Sequence, residues 1–199
     1  MCSSDLLRAR GDEVVGHGRT NAERACDFSP HVEAQRIGEC VARIAAEEGN
    51  PPLGWMSPWV NQSAQTPDLL AEAGLRYTLD WPMDDQPVWM RTDSGPLLSV
   101  PYPHEVNDVP TVVLHHATAP SFASAIVDNL DEMLAQSEQQ ALVCGITIHT
   151  FIVGQPFRLR RFRAALEHLL DLPGVWLTTP GEIANHYTAL HPPPGATAE

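Results

Sequence analysis

Basic residues are scarce in this chain: 12 against 25 acidic ones in 199 residues, for a net charge of −13. The arginines are scattered except for Arg158, Arg160, Arg161 and Arg163, so the electrostatic footprint of a protein whose main partner is nucleic acid or an anionic membrane is missing. CxxC spacing is absent among Cys2, Cys26, Cys40 and Cys144, which excludes a zinc ribbon and a thioredoxin-type motif and leaves reduced, mostly buried thiols as the expectation. Neither GxGxxG nor GxxxxGK[ST] occurs, and a nucleotide-binding Rossmann reading loses its main support. No run approaches the ~18 to 20 apolar residues of a membrane span. Met1 to Glu13 carries no apolar segment of the secretory kind, so a cytoplasmic location is expected.

What remains is an ordinary globular composition, 43% hydrophobic and 19% charged, in a length suited to one domain. The expectation is a single domain over residues 1–190 and a flexible, proline-rich tail over 191–199. Ser3 to Arg10 reads as a helix closed by Gly11, and Asp12 to Gly16 as a short buried strand. Ile37, Cys40, Val41, Ile44 and Ala45 recur at helical spacing between His31 and Glu48, where Gly49-Asn50-Pro51-Pro52 stops the pattern. Gly54 to Val60 reads as a strand, and Thr66-Pro67 as the N-cap of a helix ending at Gly74. Leu75 to Trp81 and Pro96 to Tyr102 are further extended runs. Helices are expected over Ser121 to Gln139 and Phe157 to Leu170. Between them, Ala141 to Phe151 has the near-continuous apolar character of a strand buried on both faces. Val175 to Thr178 reads as a strand, and Thr179-Pro180-Gly181-Glu182 as the start of a last helix. Strands alternating with helices predict an α/β fold with a mostly parallel sheet, either open and doubly wound or closed into a barrel.

His17, Trp59, Asp80 and His149 each fall at or just past the C-terminal end of an expected strand, the face on which parallel α/β folds carry their chemistry. His149 follows Gly145-Ile-Thr-Ile148, where an imidazole can protonate a departing amine or, alternatively, sit in the core bonded to a backbone carbonyl. The turn Gly16-His17-Gly18-Arg19-Thr20-Asn21 points the ring and the Asn21 amide the same way. One histidine with one asparagine makes a poor zinc site, so a metal bound at His17 would need a further donor from elsewhere. His104, His115 and His116 read as loop or surface residues. Asp80, Asp84 and Asp85 lie close enough in sequence for mutual repulsion to raise one pKa and create a base, or they solvate a turn. Asn107-Asp108 are substrate contacts or turn formers. Trp55, Trp59, Trp81 and Trp89 wall a pocket or join the core, with two of the four expected inside.

These residues resemble the polysaccharide deacetylases of the NodB-homology type, also called carbohydrate esterase family 4, from about Leu7 to about Tyr187. Gly16 to Asn21 looks like the family's second motif and Gly54-Trp55-Met56-Ser57-Pro58-Trp59 like the third, a wall of the groove. Leu79-Asp80-Trp81 with Asp84-Asp85 is similar to the fourth. Gly145 to His149 is similar to the fifth, whose histidine is the catalytic acid. The GW..SP, D…DD..P.W, VPY….ND and H….GQP stretches look closer to the branch containing metal-independent bacterial allantoinases. The resemblance implies an incomplete (β/α) barrel and a hydrolase of non-peptide C–N bonds in an amide, ureide or N-acetyl sugar. His149, His17, Asp80 and Asp85 would carry the chemistry, and Asn21, Trp59, Asp84, Asn107 and Asp108 would bind substrate. Asn21 stands where the family's metal-binding histidine is expected, so no cofactor is expected and zinc is only weakly supported. The family's first motif, which supplies the base, is not seen in this sequence. A metal-dependent carbohydrate deacetylase and a catalytically silent fragment are therefore the competing expectations, and an incomplete barrel, with exposed sheet edge, would favour association of copies.

Overall fold

The computed structural model of the protein describes residues 3–195; Cys2 and the last four positions of the expected tail lie outside them. The chain forms two compact units, one comprising residues up to Val100 together with those from Thr178, the other Pro101–Leu177.

In the first unit, α1 (Ser3–Arg10) ends at Gly11, whose φ of 73° is the left-handed conformation that closes a helix without a Cβ penalty. α2 (Pro30–Glu48) has proline in its first turn and left-handed Gly49 at its end, the limits its sequence dictates. Its apolar stripe packs Ile37 and Cys40 against Trp55, Leu70, Leu75 and Leu97. The sheet has the order β1 (Gly54–Trp55), β2 (Tyr77–Thr78), β4 (Gly95–Ser99), β3 (Val88–Thr92), parallel except for the β3–β4 pair. β3 has no counterpart among the expected strands. Its alternation is weak because one edge strand of a hairpin needs only partial burial, and all but one of its residues are indeed half-buried.

The strand expected over Gly54 to Val60 stops at Trp55, and Pro58–Val60 form a 3-10 turn instead. Thr66 is not the cap of α3 (Thr66–Glu72) but its first residue. Its hydroxyl accepts from Ser63 N at 2.8 Å and donates to the buried carboxylate of Glu33, which ties α3 to α2. Asp12 to Gly16 pairs only at Gly16, which bridges Trp55. α7 (Pro180–Leu190) begins as its sequence predicts, with the Thr179 hydroxyl accepting from Glu182 N. Glu13 reaches the same helix start: one oxygen accepts from Gly181 N at 2.7 Å and the other from the Tyr77 hydroxyl at 2.6 Å. Burial and that carboxylate push the Tyr77 phenol well above its ordinary range.

In the second unit, α4 (Ala119–Gln136) packs Phe122, Ile126 and Leu130 against Phe162, Ala165 and Leu169 of α6 (Pro156–Asp171), with Ile152 and Val153 of α5 (Thr150–Val153) beside them. The segment Ala141 to Phe151, expected as a strand buried on both faces, makes a single bridge, Thr147 to Asn107; Ile148 is exposed, and Thr150 and Phe151 belong to α5. An apolar run becomes a buried strand only where neighbours pair with it on both sides, and among the described residues it has one such neighbour. Val175 to Thr178 likewise forms no strand, and Trp176 and Leu177 are exposed. No described helix is long and apolar enough to cross a membrane.

Candidate functional site

Two histidine clusters emerge, one in each unit. In the first, Gly16 lies flat against an indole: a Cβ there would fall 2.6 Å from Trp55 Cε3. Glycine therefore permits the close pairing in which Gly16 N donates to Gly54 O (2.9 Å) and Met56 N to Gly16 O (2.8 Å). The next residue, His17, is thereby set opposite the Met56 carbonyl, with Nδ1 at 2.6 Å from the oxygen. A carbonyl only accepts, so Nδ1 carries the proton. Nε2 faces the Asn21 side chain, with Oδ1 at 3.1 Å. That pair is satisfied either by an imidazolium or by a neutral ring accepting from the amide turned over to present its NH2.

Asp80 lies two residues past β2 and is 3% exposed. Its Oδ1 accepts from Ser57 N (2.6 Å) and its Oδ2 from Ser57 Oγ (2.7 Å), while Trp55 Nε1 donates to that same hydroxyl at 3.0 Å. Burial holds the Asp80 carboxyl above the ordinary aspartate range, partly offset by the Ser57 hydrogen bonds and by the charge of His17. Mutual repulsion with Asp84 and Asp85 is not the cause of the shift, as the sequence suggested. Those two residues are exposed, and Asp84 Oδ1 accepts from Asp85 N at 2.8 Å, as turn residues do.

Trp59 and Val60 both adopt positive φ, 62° and 51°. Two successive non-glycine residues in this region cost about 1–3 kcal/mol each unless the surroundings impose them. Here the imposed feature is the indole, whose Nε1 donates to Asn21 O at 2.6 Å and whose ring stays 61% exposed, with the Arg24 guanidinium 5.9 Å from its centroid. Of the four tryptophans weighed as wall or core, only Trp55 is buried; Trp59 and Trp81 are exposed and Trp89 is half-buried, its indole donating to His191 O.

In the second unit the partner of His149 is Asp108. Asp108 Oδ1 lies 2.6 Å from His149 Nδ1, and Oδ2 accepts from the His149 backbone N at 2.7 Å. One carboxylate thus fixes both ring and main chain, with its own side chain fully buried while the imidazole is 31% exposed. His149 is therefore not a core histidine on a carbonyl. Asp108, expected at the substrate, turns inward instead, and a fully buried carboxylate acts only through its neighbour. Asn107 also turns inward, its Oδ1 accepting from Val109 N at 3.1 Å while its backbone bridges Thr147. The π-helical turn Val109–Leu114 follows immediately. Such wide turns recur at functional sites.

An imidazole that is 31% exposed and has Nδ1 on a carboxylate is arranged to give a proton from Nε2. His17, held by a carbonyl, is arranged to orient a polar group. Sequence reasoning placed both histidines but missed Asp108 as the holder of one and Met56 O as the holder of the other. The pair Asn107-Asp108 ahead of Val-Pro was a signal for Asp108, whereas a backbone carbonyl leaves none. Among the described residues no three His, Cys, Asp or Glu side chains come together to hold a metal ion. With Nδ1 of His17 engaged, the donors left there are one imidazole nitrogen and one amide, which do not fit a zinc site. Of the three described cysteines, expected to be mostly buried, only Cys40 is; Cys144 is half-buried and Cys26 exposed.

No protein-family model matches the chain. It is 27% identical over 187 residues to a Schizosaccharomyces pombe protein named "Putative polysaccharide deacetylase", an alignment covering 82% of this chain and 56% of the yeast protein. Among solved structures it superposes on PuuE allantoinase with a TM-score of 0.87 at 26% identity, covering 96% of this chain and 64% of that one. A Pseudomonas aeruginosa PAO1 structure described as "probable Polysaccharide deacetylase" gives the same TM-score at 22% identity, covering 95% and 63%, and shares the fold. The chain thus spans somewhat over half the length of the proteins it matches. The α/β architecture and the mostly parallel sheet agree with these comparisons, in which the chain is similar to proteins of the polysaccharide deacetylase, NodB-like superfamily.

Proposed function

We propose that this chain is a hydrolase of non-peptide carbon–nitrogen bonds, acting on an amide or ureide of a small molecule. The observation that carries the reading is the Asp108–His149 pair, a half-exposed imidazole whose inner nitrogen is held by a fully buried carboxylate. Water adds to the substrate carbonyl and loses one proton to the surrounding solvent, the C–N bond of the tetrahedral intermediate breaks, and its electron pair stays on nitrogen. His149 Nε2 delivers the proton that makes this nitrogen a neutral leaving group, and Asp108 compensates the charge of the ring while it carries both protons. Within the first unit, His17 and Asn21 are arranged to orient a polar ligand, and the exposed Trp59 indole offers a flat wall to a ring. Asp84 and Asp85, exposed and hydrogen-bonded to each other as turn residues, are given no part in the chemical step. Asp80, with both oxygens engaged by Ser57, holds the site together rather than serving as base.

The similarity to PuuE allantoinase favours a ureide, and that to the deacetylases an N-acetyl sugar. The donor set at His17 favours the first, since sugar deacetylation in this superfamily is expected to use a metal. The test is turnover of allantoin and of N-acetylated sugars by the wild-type chain and by His149→Ala. Turnover lost in the variant supports the reading; unchanged turnover, or a wild-type chain inert toward both, overturns it.

A further inference from the structure

We propose that Ser57 is a positioning residue for His17, acting through the Met56 carbonyl, and that its partnership with Asp80 is what commits the ring to its Nδ1–H form. The inference rests on the role given to His17 above. Three consecutive residues carry the device. Trp55 is pinned by its indole N–H on Ser57 Oγ (3.0 Å). Ser57 is pinned at two atoms by the carboxylate of Asp80, 2.6 Å from its N and 2.7 Å from its Oγ. Met56, between them, donates to Gly16 O at 2.8 Å and offers its own carbonyl to His17 Nδ1 at 2.6 Å. The peptide that reads the histidine is therefore clamped at both ends by buried groups, Trp55 at 4% and Ser57 at 1% exposure.

The geometry of the hydroxyl decides the direction of the chain of hydrogen bonds. Ser57 Oγ accepts from the indole, which only donates, and so must give its own proton to Asp80, which accepts while ionised. A serine satisfies both demands; alanine satisfies neither, leaves the buried indole N–H without its partner and takes one hydrogen bond from the Asp80 carboxylate, the costly arrangement in a dry interior. Relaxation of that strain would let residues 55–57 shift and turn the Met56 carbonyl away from Nδ1. The ring would then no longer be restricted to one tautomer, and Nε2 would cease to be the nitrogen that always presents toward Asn21. Such a fixed tautomer is what a positioned imidazole needs in order to offer the same nitrogen at every turnover.

The experiment is nitrogen NMR of the imidazole rings in protein labelled at histidine, with the His17 signals assigned by their loss in His17→Gln. The wild type should show His17 with the proton on Nδ1 whenever the ring is neutral. Ser57→Ala should show a mixture of the two tautomers, while Ser57→Thr, which keeps the hydroxyl, should restore the wild-type pattern; the His149 signals should stay unchanged in both, as a check that the variants are folded. Should Ser57→Ala not fold, Asp80→Asn, which keeps an acceptor but weakens it, should give a smaller shift in the same direction. A His17 ring that keeps its proton on Nδ1 in a folded Ser57→Ala or Asp80→Asn protein, or that carries it on Nε2 in the wild type, would overturn the inference. The readout needs no substrate, so an inert protein with the expected tautomers would reject the hydrolase reading and leave this one standing. With an active protein, kcat should fall on the order of tenfold in Ser57→Ala at nearly unchanged KM.

Discussion

His149 and His17 are the same residue type at comparable places, each just past a paired backbone residue, yet they differ in what holds the inner nitrogen. His149 Nδ1 meets a buried carboxylate and His17 Nδ1 a backbone carbonyl, both at 2.6 Å. Either partner fixes the tautomer, but only the carboxylate carries the charge that offsets a second proton on the ring. The difference teaches that ring orientation and proton donation are separable, and that a histidine next to a motif glycine need not be an acid.

The comparison is broken most forcefully at His149. His149→Ala should lower turnover by roughly 10²- to 10⁴-fold, the usual span for a positioned acid. Asp108→Asn should lower it by about 10²-fold, because an amide can turn its NH2 toward Nδ1 and fix the wrong tautomer; steady-state kinetics on a folded variant checks both. His17→Gln should cost less, on the order of tenfold, since it removes orientation and not the proton. If His17→Gln proves the more damaging, the roles of the two rings are reversed.

Stability tests sharpen the same contrast. Gly16→Ala should destabilise the first unit by about 1–3 kcal/mol, because its Cβ would collide with the Trp55 ring and displace the pairing that sets His17; urea unfolding measures it. The smallest effect is a pH dependence. Burial raises the Asp80 pKa in the folded state above the unfolded value, so the native protein takes up this proton more readily. The contribution of Asp80 is therefore fully present below the ordinary aspartate pKa and is lost as pH rises through the folded one. Relative to Asp80→Asn, the wild type should become more stable as pH falls toward the ordinary aspartate range. A difference that moves the opposite way would show that Ser57 and His17 outweigh burial.

The sequence carried the helices well, because α2, α4, α6 and α7 each combine an apolar stripe with proline in the first turn. The resemblance added the fold, which the superposition on solved structures shares. Strands were read less faithfully: Ala141 to Phe151 and Val175 to Thr178 have strand composition, but composition does not say whether a neighbour is there to pair. β3 was missed for the converse reason, since an edge strand paired by a hairpin needs no apolar run. At the site, residue types were legible and partnerships were not. Asp80 looked like one of three interacting acids, yet it is buried on Ser57, while Asp108 looked like a turn former, yet it holds His149. Those pairings span 23 and 41 residues, and nothing local in the chain encodes them.

Whether His149 gives a proton to the leaving nitrogen can be read from leaving-group dependence. Turnover of an amide or ureide should collapse in His149→Ala, whereas cleavage of an activated ester of the same acyl group, whose phenolate departs without a proton, should survive largely intact. Equal losses on both substrates would show that the ring contributes something other than acid catalysis.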